Sequence, residues 1–264
     1  MPMLRCPAEG ARIVIDDETF DLADDEQKRP PYDAAAFAAD HLQSWESLAS
    51  VIDHTLLKPD ATRMQIENLC DEAIRYRFAC AMVNPIWAST AAALLAGTGI
   101  SVGVVIGFPL GASLPSTLRQ EALALTRLGA RDVDMVLSIG QMKSGDFKAV
   151  GRTIRGVAEV VHERQAVLKV ILETCLLTVE EKLRAAEIVV ESGADFLKTS
   201  TGFSQGGATV ADVGLLRGVA GGLCGVKASG GIRSLEDARA MLEAGASRIG
   251  ASASVAMVRA LGAE

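Results

Sequence analysis

Three stretches carry the reading of the fold: Val167-Leu-Lys-Val-Ile-Leu-Glu173, Ala194-Asp-Phe-Leu-Lys-Thr-Ser-Thr-Gly202 and Cys224-Gly-Val-Lys-Ala-Ser-Gly-Gly231. Each is a short apolar run of strand type with one lysine inside it. Twenty-nine residues separate Lys169 from Lys198, and 29 separate Lys198 from Lys227. That is about the length of one strand–helix unit. The intervening segments have helix punctuation. Thr178-x-x-Glu181 and Ser234-x-x-Asp237 have the form of capping boxes, and Ser192-Gly193-Ala194 and Ala244-Gly245-Ala246 close helices with a glycine before the next strand.

The same alternation extends back to residue 49. Candidate strands at 50–54, 79–84, 101–108, 132–138, 167–173, 195–200, 225–229 and 247–251 make eight, and Thr62-x-x-Gln65 and Leu128-Gly129-Ala130 repeat the helix signals. Eight units in about 215 residues predict an α/β protein of the (β/α)8 TIM-barrel type. A doubly wound open sheet is the rival. Such sheets usually open on a Gly-rich turn, and no G-x-G-x-x-G follows the first strand.

Composition narrows the partners. The chain has 264 residues, 49% hydrophobic and 22% charged, with a net charge of −7. It can bury a large core, and it has no Lys/Arg run to serve as a nucleic-acid or anionic-membrane footprint. Residues 78–118 lack any charge, but Asn84, Pro85, Gly97, Gly99, Gly103, Gly107, Pro109 and Gly111 cut them into strand-length pieces rather than a membrane span. The five cysteines are scattered with no C-x-x-C, and residues 1–25 carry charges throughout with no apolar signal region. A reduced, cytoplasmic location is expected, without disulfides, structural zinc or a His-rich metal site. Two segments are expected: 1–48, an acidic solvated arm (Asp16, Asp17, Glu18, Asp21, Asp24, Asp25, Glu26) with a helix over 34–48 capped by Asp33, and 49–264, the barrel.

In a barrel the chemistry belongs at the carboxyl ends of the strands. Strand lysines flanked by apolar residues cannot easily reach water, and a single one would be read as neutralised by a nearby carboxylate. Three in succession, at a shared height, point to function. Burial and mutual repulsion both lower a lysine pKa. A neutral amine attacks an aldehyde or ketone to form a Schiff base, which then acts as electron sink for breaking a C–C bond. This is class I aldolase logic and requires no metal or other cofactor. Asp134, deep in the apolar run Val133–Leu137, is the candidate acid/base, and Asp132 is more structural. Glu173 is either a supporting group or a lysine's partner. Asp53, read at the barrel mouth, would touch substrate hydroxyls or support a lysine. His54 faces the other way and is structural, while Cys80 and Met82 share a core face. Ser229-Gly230-Gly231 and Gly250-Ala251-Ser252, after the seventh and eighth strands, suit a phosphate.

Together these residues resemble deoxyribose-phosphate aldolase, over about residues 52–258. The resemblance rests on Ile-Asp-His-Thr-Leu-Leu-Lys-Pro-Asp-Ala-Thr (52–62), Val-Ile-Gly-Phe-Pro-Leu-Gly-Ala (105–112), Val-Asp-Met-Val (133–136), Leu-Lys-Val-Ile-Leu-Glu (168–173), Phe-Leu-Lys-Thr-Ser-Thr-Gly-Phe (196–203), Gly-Gly-Ala-Thr-Val-Ala-Asp-Val (206–213) and Val-Lys-Ala-Ser-Gly-Gly-Ile-Arg (226–233). It implies Lys198 as the Schiff-base lysine, Lys227 as the lysine that lowers its pKa and relays protons, and Asp134 as proton donor and acceptor. Asp53 and Lys169 would support the site, and Thr201, Gly202, Gly230, Gly231 and Ser252 would hold the sugar phosphate. The implied reaction is reversible cleavage of 2-deoxy-D-ribose 5-phosphate to D-glyceraldehyde 3-phosphate and acetaldehyde, as in deoxyribose phosphate catabolism. The implied partners are a small-molecule sugar phosphate and an aldehyde, with no nucleic acid or membrane; a homo-oligomer, dimer or tetramer, is compatible. Ser138, Met82 and Ala253 depart from residues common in relatives and bear on substrate affinity more than on reaction type. Other lysine aldolases or transaldolases, a metal-dependent aldolase and a non-catalytic sugar-phosphate sensor are the alternatives. Retention of Lys198 and Asp134 speaks against the sensor.

Overall fold

A computed structural model describes residues 12–15, 18–21 and 32–264. The first two of these segments, β1 (Arg12–Ile15) and β2 (Glu18–Asp21), pair antiparallel, an element the sequence reading did not contain. The rest of the expected acidic arm, including Asp16, Asp17 and 24–26, lies outside the described residues. Asp33 caps a helix as expected, accepting from the Ala36 N–H. That helix ends at His41, however, and a second one spans Trp45–Ala49. Ser44 causes the break: its hydroxyl caps the new helix in a capping box with Ser47.

Eight parallel strands then close a barrel: β3 (Ile52–Leu56), β4 (Cys80–Val83), β5 (Ser101–Ile106), β6 (Asp132–Val136), β7 (Val167–Ile171), β8 (Phe196–Lys198), β9 (Gly225–Ser229) and β10 (Arg248–Ala251). β10 pairs with β3 through Ile249 and Ile52, so no strand edge remains in the barrel. Helices lie between the strands, which makes this a TIM barrel. Thr62, Thr178 and Ser234 all start their helices with the expected capping boxes. At the helix exits Gly129, Gly193 and Gly245 take positive φ, where a side chain would be strained.

Two apolar regions result from the period-2 alternation. Outward-facing strand residues such as Ile52, Val104, Val133, Leu168, Leu197, Val226 and Ile249 pack against the helices. Inside the barrel a small cluster of Leu57, Cys80, Met82 and Val105, with Phe108 against it, fills one sector. His54 points outward as expected, buried between Phe78 and Glu72, with Nε2 2.8 Å from the Glu72 carboxylate. Among the described residues no helix is long and apolar enough to cross a membrane.

Candidate active site

The other sector of the interior is ionic. Alternation along β3, β6, β7, β8, β9 and β10 turns Asp53, Asp132, Asp134, Lys169, Lys198, Lys227 and Arg248 toward one another. Lys198 Nζ lies 2.7 Å from Asp134 Oδ2, and the same oxygen receives Lys227 Nζ at 2.7 Å. Lys227 Nζ also reaches Asp53 Oδ2 at 2.5 Å, whose other oxygen accepts from Arg248 Nη1 at 2.9 Å. Lys169 pairs with Asp132, itself bonded to the Ser101 hydroxyl, and lies 3.6 Å from Asp53 and 3.5 Å from Asp134. Asp53, Asp134 and Lys169 are fully buried, and Lys198 and Lys227 nearly so.

All three lysines reach Asp134, from staggered register positions. Lys198 stands opposite Lys227 in the strand register, whereas Lys169 stands opposite Phe196, two residues earlier on β8. Equal spacing in sequence becomes a stagger because barrel strands are sheared relative to one another. Asp53 likewise lies below the mouth, with its carboxylate on Lys227 and Arg248.

Charge follows from this geometry. Burial opposes ionisation of Asp53, but Lys169, Lys227 and Arg248 overcome it and hold the carboxyl well below the usual range. Asp134 is held low in the same way, by Lys198, Lys227 and Lys169. Burial would deprotonate Lys169 and Lys227, yet their carboxylates prevail and both are raised. Lys198 goes the other way. Burial, with repulsion from Lys227 added, outweighs Asp134 and brings it down to about 8. Desolvation thus contributes more than Lys227, to which the resemblance assigned the lowering.

Above the cluster the mouth is built by loops after β7 to β10. Thr201, Gly202, Gly230, Gly231 and Ser252 all follow the carboxyl ends of β8, β9 or β10, as a phosphate site requires. The loop after β8 lies against the one after β9: the Ala208 N–H donates to Gly230 O at 2.9 Å, and a Cβ on Gly207 would sit 2.3 Å from that oxygen. Thr201 turns its polar groups inward. Its N–H and hydroxyl both donate to the Glu173 carboxylate, and its hydroxyl accepts from the Phe203 N–H at 3.0 Å.

The sequence pattern of the DeoC/LacD family aldolases matches residues 47–261. The chain belongs to this family. The aldolase is 53% identical to the deoxyribose-phosphate aldolase of Geobacillus sp. (strain WCH70) over 212 residues, which cover 80% of this chain and 95% of that one. Its identity to the deoxyribose-phosphate aldolase of Listeria monocytogenes is also 53%, over 80% and 95% of the two chains. Among solved structures it is similar to the tetrameric deoxyribose phosphate aldolase of Aeropyrum pernix, with a TM-score of 0.80 and 37% identity over 86% and 96% of the chains.

Arg248 escaped the sequence reading, and two residues it did name, Glu173 and Gly250, have partners it did not foresee. Arg248 lies in the stretch Ser-Arg-Ile-Gly, where an arginine at a strand start reads as solvent-facing. Glu173 binds Thr201 instead of a lysine. Gly250 makes room for Lys227, since a Cβ there would lie 2.9 Å from the lysine's Cε. Asp53, Cys80 and Asp132 present donor atoms within 4.8 Å of one another, the spacing of a metal site. The donor set fits a metal poorly. The Lys169 ammonium already sits on Asp132, and burial keeps the Cys80 thiol protonated, well above its ordinary range.

Proposed function

We propose that this aldolase reversibly cleaves 2-deoxy-D-ribose 5-phosphate to D-glyceraldehyde 3-phosphate and acetaldehyde through an imine on Lys198. In this reading residues 49–264 are the catalytic barrel and 1–48 an appended segment. The observation that carries the proposal is the pair of 2.7 Å contacts from Lys198 and Lys227 to one oxygen of Asp134. One group there is a nucleophile, one a proton carrier and one a fixed cation.

The neutral Lys198 amine attacks C1 of the open-chain sugar. Asp134 moves the amine's surplus proton to the carbinolamine oxygen, and a further proton, taken up from solvent and passed on by Asp134, lets that oxygen leave as water with a protonated imine remaining. Asp134, through a water, then takes the C3 hydroxyl proton, and the C2–C3 bond electrons flow into the imine. C3 becomes the aldehyde of glyceraldehyde 3-phosphate, and C1 and C2 stay on Lys198 as an enamine. Protonation at C2 and hydrolysis release acetaldehyde and restore the amine. The phosphate rests on Gly202, Gly230, Gly231 and Ser252, with Thr201 shaping the turn. The relatives' names and the matched motifs support this substrate; the tetrameric relative makes a homo-oligomer the natural state to test by light scattering.

Reduction with borohydride in the presence of acetaldehyde, followed by peptide mapping, tests the reading. An N-ethyl group on Lys198 is expected. Labelling elsewhere, or full turnover in Lys198→Ala, overturns it.

A further inference from the structure

Among the described residues the ionic cluster contains four cationic side chains, Lys169, Lys198, Lys227 and Arg248, but only three carboxylates, Asp53, Asp132 and Asp134. β4 adds only the Cys80 thiol, and β5, with the sequence Ser-Val-Gly-Val-Val-Ile, adds no titratable group. Glu173, beyond the end of β7, is engaged with Thr201. Fully charged, the buried cluster holds one positive charge in excess. In a poorly solvated interior that excess is costly, and release of one proton removes it.

The fourth cation comes from the end of the barrel opposite the mouth. Arg248 opens β10, and its side chain is 22% exposed. Its guanidinium carbon lies 5.7 Å from the centre of the Phe196 ring, and Lys169 Nζ lies at the same distance from that ring. The ring can occupy the barrel interior because Gly225 has no Cβ; one there would lie 2.2 Å from it. Its Nη1 satisfies the Asp53 oxygen that Lys227 leaves free.

We propose that Arg248 is a positioning residue of the aldolase reaction, acting through Asp53: its charge neutralises that carboxylate from below and leaves Lys198 as the lysine that must give up its proton. An arginine suits this task because it does not deprotonate in its own place. Without the guanidinium, Asp53 would act in full on the lysines, three cations would match three anions, and Lys198 would keep its proton to higher pH. The inference rests on Lys198 being the imine-forming lysine.

The test is the pH dependence of kcat/KM in wild type, Arg248→Met, Arg248→Gln and Arg248→Lys, beside cyanoborohydride trapping of acetaldehyde on Lys198 across the same pH series. Met removes the charge, and Gln removes it while keeping a donor for Asp53. In both, the acid limb of the rate profile and of trapping should move upward by about one pH unit, with rates recovering at high pH. Lys should leave the limb within about 0.3 unit of wild type. A merely structural arginine would lower rates at every pH without moving the limb, and that result overturns the proposal. If one neutral variant does not fold, the other decides. No trapping on Lys198 in wild type would instead remove the functional reading beneath the inference.

Discussion

An ammonium has no lone pair to offer a carbonyl carbon, so the reactivity of Lys198 at neutral pH is set by how often it is uncharged. At a pKa of about 8 the free amine at pH 7 is about 300-fold more abundant than for an ordinary lysine. On the proposed mechanism the amine must be neutral to attack, so activity should fall as pH drops through that value. In wild type kcat/KM is therefore expected to rise about tenfold per pH unit below 8 and to level off above it. A flat profile from pH 6 to 8 would contradict the assignment. Asp134 has two opposed effects on this lysine: its charge raises the pKa, and its oxygen is placed to carry the proton. Asp134→Asn removes both. If proton transfer dominates, steady-state kcat should fall about a hundred- to ten-thousand-fold even though Lys198 is more often neutral. Retention of more than a tenth of kcat would exclude Asp134 as the proton carrier.

At the scale of elements, the site depends on how β7 and β8 continue past their last ladder bonds. Leu172 N–H donates to Lys198 O, and Thr174 N–H donates to Thr199 O, so the two strands stay joined into their loops. Glu173, between those donors, has φ of 54°, an uncommon conformation for a residue with a side chain, and is buried with its carboxylate on Thr201. The carboxylate thereby fixes the Thr201-Gly202 turn beside the expected phosphate position. Glu173→Gln cannot accept from both Thr201 donors as well. It should raise KM for deoxyribose 5-phosphate about tenfold, with kcat within about threefold and activity on unphosphorylated deoxyribose little changed. Equal losses on both substrates would mean that the latch serves the fold alone. The strands themselves were legible, because period-2 runs and capping boxes are local signals. That Glu173 serves Thr201, Arg248 serves Asp53 and Gly250 serves Lys227 was not legible, because each acts across a neighbouring strand and leaves no pattern along its own. The helix expected over 34–48 failed for a local reason, the competing cap at Ser44, which could have been read from Ser44 and Ser47.

For the whole molecule, closing eight strands into a barrel gives the ionic residues little contact with water, so the cluster couples global stability to pH. Asp53 and Asp134 ionise more readily folded than unfolded. Their contribution is complete above the ordinary carboxylate value and is lost as pH falls through their depressed values, so they should not promote unfolding until below about pH 4. Lys198 has the opposite sense. Its folded value of about 8 lies below the unfolded one, so the unfolded chain binds the extra proton between them and stability rises with pH across that window. Below pH 8 the buried lysine therefore costs on the order of 3 kcal/mol. Cys70 and Cys224, whose thiols burial pushes up to about 11, act against this gain in the alkaline range. The informative quantity is thus the difference between wild type and Lys198→Met, in which Asp134 keeps Lys227 and Lys169 as partners. The inactive variant should be the more stable at pH 7, by up to about 3 kcal/mol, and its advantage should shrink steadily as pH rises from about 8 toward 10. Denaturant unfolding of both proteins at a series of pH values reads this directly. A wild type more stable than Lys198→Met at pH 7, or a gap that ignores pH, would show that the barrel interior does not hold this lysine against its ordinary charge.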